Sequence, residues 1–391
     1  MSTEDNTGTA KAPSVMIIAG EISGDMRASE LVRAIRERSP ETAFFGIGGE
    51  LMRAEGVETF HDVKEMAVMG FVEVFKRFFF FSRVFNEMVN LAKERRPDAV
   101  ILVDYPGFNL RFAAKVHGMG IKTIYYICPQ VWAWNQERIP KMARIVDRLI
   151  SIFPFEAEYF EGTGLNVDYV GHPLVDEVMP YLSGDTPELP WGGGKPRVAI
   201  LPGSRRNEID RILPAMWKAA VEVEKKHPNS GFIIAAPSEE IAGYIRGKIP
   251  SLPAGPDRCE IVADNTRHVL RQAMAAMVAS GTATIETALM QCPMVIVYVV
   301  SPITYFFAKR LIKVKNIGMV NIVAGTRLCQ ELIQDKATPA DIAKAMNILL
   351  TDTPDRGFMV MKLKDVSDAL GEGGAAGRAA DIVVDEITGG N

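Results

Sequence analysis

The chain has 391 residues, of which 48% are hydrophobic and 24% charged, with a net charge of −4 and an isoelectric point near 5.9. That length supports two or three domains with ample core, the composition excludes a disordered chain, and the slightly acidic balance argues against a nucleic-acid binder. Cys128, Cys259, Cys292 and Cys329 lie far apart and the five histidines are scattered, which points to a reducing cytoplasm and to no metal site.

Residues 1–13 are small and polar, neither a signal peptide nor an anchor, and are expected to be disordered. From Val15 short apolar runs alternate with helical patterns, at 15–19, 43–47, 99–103, 123–127, 149–152 and 168–170. This rhythm predicts a parallel sheet wrapped by helices over residues 14–180. The turn Gly20-Glu21-Ile22-Ser23-Gly24-Asp25 follows the first strand and opens a helix whose bare donors Ser23 or Asp25 can cap. G-x-G-x-x-G spacing is absent, which lowers the case for a dehydrogenase. The next strand closes on Gly46-Ile47-Gly48-Gly49, where the glycines either admit a substrate close to backbone or provide tight turns.

Over 70–91, Phe71, Val74, Phe75, Phe78, Phe85 and Met88 form a helical apolar stripe. Phe78, Phe79, Phe80 and Phe81 are consecutive, and at about 100° per residue four neighbours sweep most of a helix, so one buried face cannot hide them all. Lys76, Arg77 and Arg83 flank them, which suits an anionic membrane surface or acyl chains; the alternative is a deeper core or a contact in a homo-oligomer. Charges interrupt the run well short of about 18 apolar residues, so it does not span a membrane.

Asp104 stands at the carboxyl end of the run 99–103, where open-sheet active sites form; it is either a general base or a cap for the turn at Tyr105-Pro106-Gly107. Trp132 and Trp134 either stack on a sugar or pack beneath it, and Arg138, Lys141, Arg144 and Arg148 follow at helical spacing as a basic face, solvated or holding a phosphate. His172, beside Pro173, is a substrate ligand or a structural residue.

Residues 181–197, rich in Gly and Pro, read as a linker, and Gly194-Lys195-Pro196 lacks the rest of a P-loop. The strand rhythm restarts over 198–365, at 198–201, 231–236, 259–262, 275–279, 294–299 and 319–322. Two Rossmann-like doubly wound parallel-sheet domains facing across a cleft follow, with a tail at 366–391. In Leu201-Pro202-Gly203-Ser204-Arg205-Arg206 a guanidinium at a glycine turn suits a diphosphate, with Arg206 the more solvated of the two arginines. At Ser280-Gly281-Thr282-Ala283-Thr284 an apolar strand turns into a helix expected at 285–291, and bare N–H groups favour a phosphate there. Glu286, in the first turn, either accepts ribose hydroxyls or complements the helix dipole.

Eight blocks in order resemble the lipid-A-disaccharide synthase family of two-Rossmann (GT-B) glycosyltransferases: AGEISGD at 19–25, GIGGELMRAEGV at 46–57, DYPGFN at 104–109, PQVWAW at 129–134, GHPL at 171–174, LPGSR at 201–205, SGTATIE at 280–286 and NIVAGTRLCQELIQ at 321–334. Met319-Val320-Asn321 stands where the family usually has Leu-Pro-Asn, and Gln330-Glu331 where it has Pro-Glu. The resemblance implies transfer of diacylglucosamine from its UDP derivative to diacylglucosamine 1-phosphate, without metal or organic cofactor, at the cytoplasmic surface of the inner membrane. It assigns catalysis to Asp104 and Arg205. Substrate contacts fall to Glu21, Ser23, Gly48, Gly49, His172, Ser204, Ser280, Gly281, Thr282, Ala283, Glu286, Asn321, Glu331 and Gln334, and the tail is expected to return to the first domain. Another UDP-sugar enzyme of this fold, an epimerase or a soluble-acceptor transferase, would share the 280–286 site without needing the phenylalanine cluster. A non-catalytic nucleotide-sugar binding protein would keep the pocket and lack turnover.

Overall fold

The computed structural model describes residues 12–66, 73–311 and 314–389, without the side chains of 73–78, 303, 307, 308 and 311. The expected disordered tail, 1–13, therefore falls outside it save for Ala12 and Pro13. The chain divides into two compact units, Met1–Pro173 with Gly374–Asn391, and Leu174–Gly373.

In the first unit the described strands are β1 (Ser14–Ala19), β2 (Ala43–Gly48), β3 (Glu58–Asp62), β4 (Ala99–Val103), β5 (Lys122–Tyr126), β6 (Arg148–Ser151) and β7 (Asn166–Tyr169). They form one parallel sheet in the order β3-β2-β1-β4-β5-β6-β7. Every residue of β4, and of β1 after Ser14, is buried, so an unbroken apolar run is what a strand covered on both faces requires. The helices are α1 (Ile22–Arg38), α2 (Glu50–Ala54), α3 (Val63–Met66), α4 (Glu73–Arg95), α5 (Pro106–His117), α6 (Val131–Trp134) and α7 (Ile139–Met142). Strand order reverses between β1 and β4, where Ala19 pairs with Val103, so the loops that follow those residues leave the sheet side by side.

Asp25 does not cap its own helix. Its buried carboxylate accepts from the amides of Gly49 at 2.6 Å, Leu51 at 3.1 Å and Met52 at 3.2 Å, which caps α2 and ties the loops after β1 and β2 together. Gly48 and Gly49 are buried, and a Cβ on either would lie 2.4 Å from the Met52 sulfur or 2.5 Å from the Asp25 carboxylate. A side chain at either position would displace Met52 or Asp25, so close packing by itself requires glycine there.

The second unit contains α8 (Leu174–Ser183), β8 (Arg197–Leu201), α9 (Arg206–Lys226), β9 (Gly231–Ala236), α10 (Glu239–Lys248), β10 (Cys259–Ala263) and α11 (Thr266–Gln272). It continues with β11 (Ala275–Ala279), α12 (Ala283–Leu289), β12 (Met294–Tyr298), α13 (Pro302–Leu311), α14 (Met319–Val323), β13 (Glu331–Ile333), α15 (Pro339–Leu349) and α16 (Pro354–Ala369). Its parallel sheet runs β10-β9-β8-β11-β12-β13, reversing between β8 and β11.

Three boundaries differ from the sequence reading. The run 319–322 is helix α14, not strand; three apolar residues around Asn321 fit either period, and the sixth strand is β13, whose buried Glu331 breaks the apolar pattern. Residues 181–183 belong to α8, which keeps Pro180 inside it and packs in the second unit. The helix after β11 starts at Ala283, two residues early.

The last helix, α17 (Ala375–Thr388), belongs to the first unit. It lies against α1 through the Arg38–Asp381 ion pair and reaches β5 through Lys122 and Glu386 at 2.7 Å. Residues 366–373 of the expected tail stay with the second unit.

Candidate functional site

Asp104 and Tyr105 both adopt left-handed backbone, at φ 44° and 46°, directly after β4. Two successive non-glycine residues in that region carry strain that neighbouring contacts must offset. Here the Asp104 carbonyl accepts from the Tyr125 hydroxyl at 2.5 Å and from Asn109 Nδ2 at 2.8 Å, while the Asp104 amide donates to the Tyr126 carbonyl at 3.1 Å. Gly20 makes room for the turn, since a Cβ there would meet the Tyr105 ring at 2.2 Å.

The Asp104 side chain is left to face Glu21. Burial, then the neighbouring Glu21 charge, push its pKa from 3.8 up to about 6, against a backbone donor at Tyr105. Ser23 Oγ donates to Glu21 Oε1 at 2.8 Å. Glu21, Ser23 and Asp104 therefore come together at the β1/β4 reversal, as the position of ligand sites in open parallel sheets anticipates. His172 is instead buried against the Phe153 ring, 4.9 Å between centroids.

Beside this group, the loop after β6 holds a carboxyl that no motif announced. Glu156 is fully buried, accepts from Trp132 Nε1 at 3.1 Å and from the Phe153 amide at 3.2 Å, and lies against the Cys128 thiol. Burial lifts it from 4.5 to about 8, and those donors only partly oppose the shift. Trp132 is core, packed edge-on to Phe155 at 4.8 Å. The basic helical face expected over 138–148 does not form, because α7 ends at Met142 and Arg148 starts β6, paired with Asp168 and Glu386.

In the second unit the loops after β8 and β11 are neighbours at the β8/β11 reversal. Arg205 is exposed and, among the described residues, has no ion-pair partner. Arg206 is spent on Glu240 at 2.9 Å. Gly203 leaves space for the Glu208 carboxylate, which accepts from the Ser204 amide at 3.2 Å and sits within 2.3 Å of where a Cβ would be. The amides of Gly281, Thr282 and Ala283 donate to no protein acceptor among the described residues, and the Ser280 hydroxyl donates to the Ile317 carbonyl at 3.2 Å.

Glu286 is not a bare carboxylate. Arg267 Nε donates to it at 2.8 Å, and the same guanidinium binds Glu177. The pair borders a pocket of about 240 Å³ with Tyr181, Asp264 and Asn265. Arg267 lies 19 residues from Glu286 and 90 from Glu177, a separation no local pattern reveals.

Asn321, Glu331 and Gln334, expected to line the nucleotide pocket, each make hydrogen bonds within the loops around β13. Buried Glu331 accepts from the amides of Ile317 and Gly318 and from Asn321 Nδ2. Asn321 also closes both ways on the Cys329 backbone at 2.8 Å, and Gln334 does the same with Val300. Buried polar groups seek such partners first, so these side chains hold the loops around β13.

Among the phenylalanines, Phe79 is 79% exposed, while Phe80 and Phe81 are half-buried, edge to face at 5.6 Å. Val84, Met88 and Ala92 supply the buried face of α4. The side chains of Arg77 and Phe78 lie outside the described residues. No helix among the described residues is long and apolar enough to cross a membrane, and none of their His, Cys, Asp and Glu residues form a metal-holding group.

A family model described as lipid-A-disaccharide synthetase matches residues 15–377. Similar relatives are the lipid-A-disaccharide synthases of Geobacter metallireducens, 42% identical over 97% of this chain and 99% of the relative, and of Myxococcus xanthus, 38% identical over 95% and 97%. Solved structures share the fold at low identity. A UDP-N-acetylglucosamine 2-epimerase described as putative, from Listeria monocytogenes, has a TM-score of 0.64 at 14% identity, covering 98% of both chains. The calicheamicin glycosyltransferase CalG4 has a TM-score of 0.57 at 16% identity, covering 97% of this chain and 99% of that one. These likenesses place the two units among two-Rossmann, GT-B-like folds.

The Glu156 proton gives a pH prediction. Between 4.5 and about 8 the folded chain keeps a proton that the unfolded chain releases, so this group's contribution to stability is full below 4.5 and is lost as pH rises through 8. Glu156→Gln keeps an acceptor for Trp132 and cannot ionise. Its melting temperature relative to wild type will rise from pH 5 to about pH 8 and then level off in thermal denaturation; a gap independent of pH would contradict the assignment.

Proposed function

The chain belongs to the lipid-A-disaccharide synthetase family, and from that premise we propose how its residues carry out the family's reaction. The protein is a glycosyltransferase that joins UDP-2,3-diacylglucosamine to 2,3-diacylglucosamine 1-phosphate, giving the β(1→6) disaccharide 1-phosphate and UDP. Asp104 is the general base. It takes the proton of the acceptor 6-hydroxyl as that oxygen bonds to the donor C1, while the C1–O bond to UDP breaks and its electron pair leaves with the diphosphate. One displacement inverts C1 and needs one base. The observation that carries this reading is a half-buried carboxyl held at a strand end in left-handed backbone beside Glu21, with a pKa raised to about 6, close enough to neutrality to accept a proton and still be ionised at pH 7.

The second unit holds the leaving group. Arg205 and the amides of Gly281, Thr282 and Ala283 take the charge that builds on UDP, and fixed donors of this kind favour the transition state over the bound donor. Glu286, oriented by Arg267, accepts the ribose hydroxyls. Glu21 and Ser23 shape the sugar side around Asp104.

The lipid portions and the cytoplasmic face of the inner membrane fall to α4. Phe79 stands clear of the core, and Phe80 has the Arg83 guanidinium 6.0 Å from its ring, a pairing suited to acyl chains below anionic headgroups. A soluble-acceptor enzyme would have no use for that surface.

Asp104→Asn will cut turnover roughly a hundredfold or more in a UDP-release assay confirmed by product mass, while donor affinity stays within about twofold. Near-wild-type turnover would remove Asp104 from the base role. Phe79→Ser will lower recovery on vesicles of phosphatidylglycerol and raise the KM for both lipid substrates without changing the melting temperature. Unchanged recovery and KM would place the lipid surface elsewhere.

A further inference from the structure

The loop after β5 presents an unassigned surface. Strand β5 pairs with β4 so that Val103 stands opposite Tyr126, and the segment leading to α6 leaves the same sheet edge as Asp104. This segment is clamped from below. Trp132 is buried with its Nε1–H on Glu156, its ring against Phe155 and Tyr159, and its carbonyl accepting from Gln136 Nε2 at 2.9 Å. Two residues on, Trp134 is 42% exposed, with the Arg138 guanidinium 5.4 Å from its ring centroid.

Arg138 has no ion-pair partner among the described residues, unlike Arg148 or Arg206. It also acts on the centre of the site. Burial pushes the Tyr125 hydroxyl well up, the Asp104 charge adds to this, and Arg138 is the cation that opposes the shift. That hydroxyl is the one held on the Asp104 carbonyl.

An exposed indole with a guanidinium on its face matches a pyranose that carries a phosphate. The sugar's C–H face stacks on the ring, and the planar fork of the arginine takes two phosphate oxygens at once. We propose that Trp134 and Arg138 bind the phosphorylated end of the acceptor, the pyranose ring on Trp134 and the 1-phosphate on Arg138. The acceptor's 6-hydroxyl and 1-phosphate lie at opposite ends of its ring, so a base on β4 and a cation on the loop after neighbouring β5 suit one molecule. This rests on the reading of Asp104 as the base for that acceptor.

A phospholipid headgroup offers the same phosphate chemistry, so the test separates the two sources. Kinetics in mixed micelles of nonionic detergent would compare diacylglucosamine 1-phosphate with the same acceptor lacking phosphate. Arg138→Ala will raise the KM of the phosphorylated acceptor about tenfold or more, leave donor KM within about twofold, and lower by a like factor the kcat/KM preference for the phosphorylated form. Arg138→Lys will recover part of the loss. Trp134→Ala will raise KM for either acceptor, and Trp134→Phe will restore most of it. An acceptor KM unchanged in Arg138→Ala or in Trp134→Ala, or equal losses with both acceptors in Arg138→Ala, would overturn the proposal. So would weaker binding to phosphatidylglycerol vesicles with acceptor KM intact, which would assign Arg138 to the membrane. Melting temperatures within about 2 °C of wild type exclude a folding defect as the cause, and the lysine and phenylalanine variants decide the matter where alanine unfolds the chain. Asp104→Asn with near-wild-type turnover would sink the base reading while leaving the Arg138 effect on KM in place, so the two fail separately.

Discussion

The grip of Tyr125 and Asn109 on the Asp104 carbonyl is the interaction on which the first unit's chemistry depends. It holds two non-glycine residues in left-handed backbone, and that turn presents the Asp104 carboxyl to Glu21 across the β1/β4 reversal. A relaxed turn would release the strain and also carry the carboxyl toward water, where its pKa would fall back toward the ordinary aspartate range. Proton affinity at this position is therefore set by main-chain geometry as much as by neighbouring charge. Gly20 belongs to the same construction, because only a residue without a Cβ leaves the Tyr105 ring its place.

The second unit solves a different problem with opposite means. Its side chains close to the sheet's carboxyl edge are largely satisfied by the protein itself: Glu331 by three donors, Glu286 by Arg267, Glu208 by the loop it folds over. What stays open is the exposed Arg205 and a row of amides from Gly281 to Ala283. Such an arrangement suits a charge that develops during reaction, since donors fixed in advance need no reorganisation when the leaving group departs.

Much of this was legible in the sequence. Buried parallel strands read as unbroken apolar runs, so most of β1 to β12 could be placed, and Asp104, Arg205 and the 280–286 turn stood out because each follows such a run. Legibility failed where burial is polar. The strand β13 carries Glu331 and lacks an apolar run, the edge strand β3 is only half-covered, and α14 is too short for its pattern to separate helix from strand. Internal hydrogen-bond partners are hidden from the sequence for the same reason. Asn321, Glu331 and Gln334 have the chemistry of ligand contacts, and only coordinates reveal that their donors and acceptors are already used. Gly48 and Gly49 read as either a substrate loop or tight turns, and the close approach of Met52 and Asp25 to them has no sequence signal. Glu156 and Arg267 had no local signature, because their partners come from far along the chain.

The pH dependence of kcat/KM in wild type and in Glu21→Gln tests the central claim most directly. A base must be ionised to accept a proton, so activity should rise with pH through an acid limb near pH 6. Removing the neighbouring negative charge eases ionisation of Asp104 and should carry that limb to lower pH, whatever the height of the plateau above it. An acid limb absent from the region of pH 6, or one that stays in place when Glu21 loses its charge, would contradict the account.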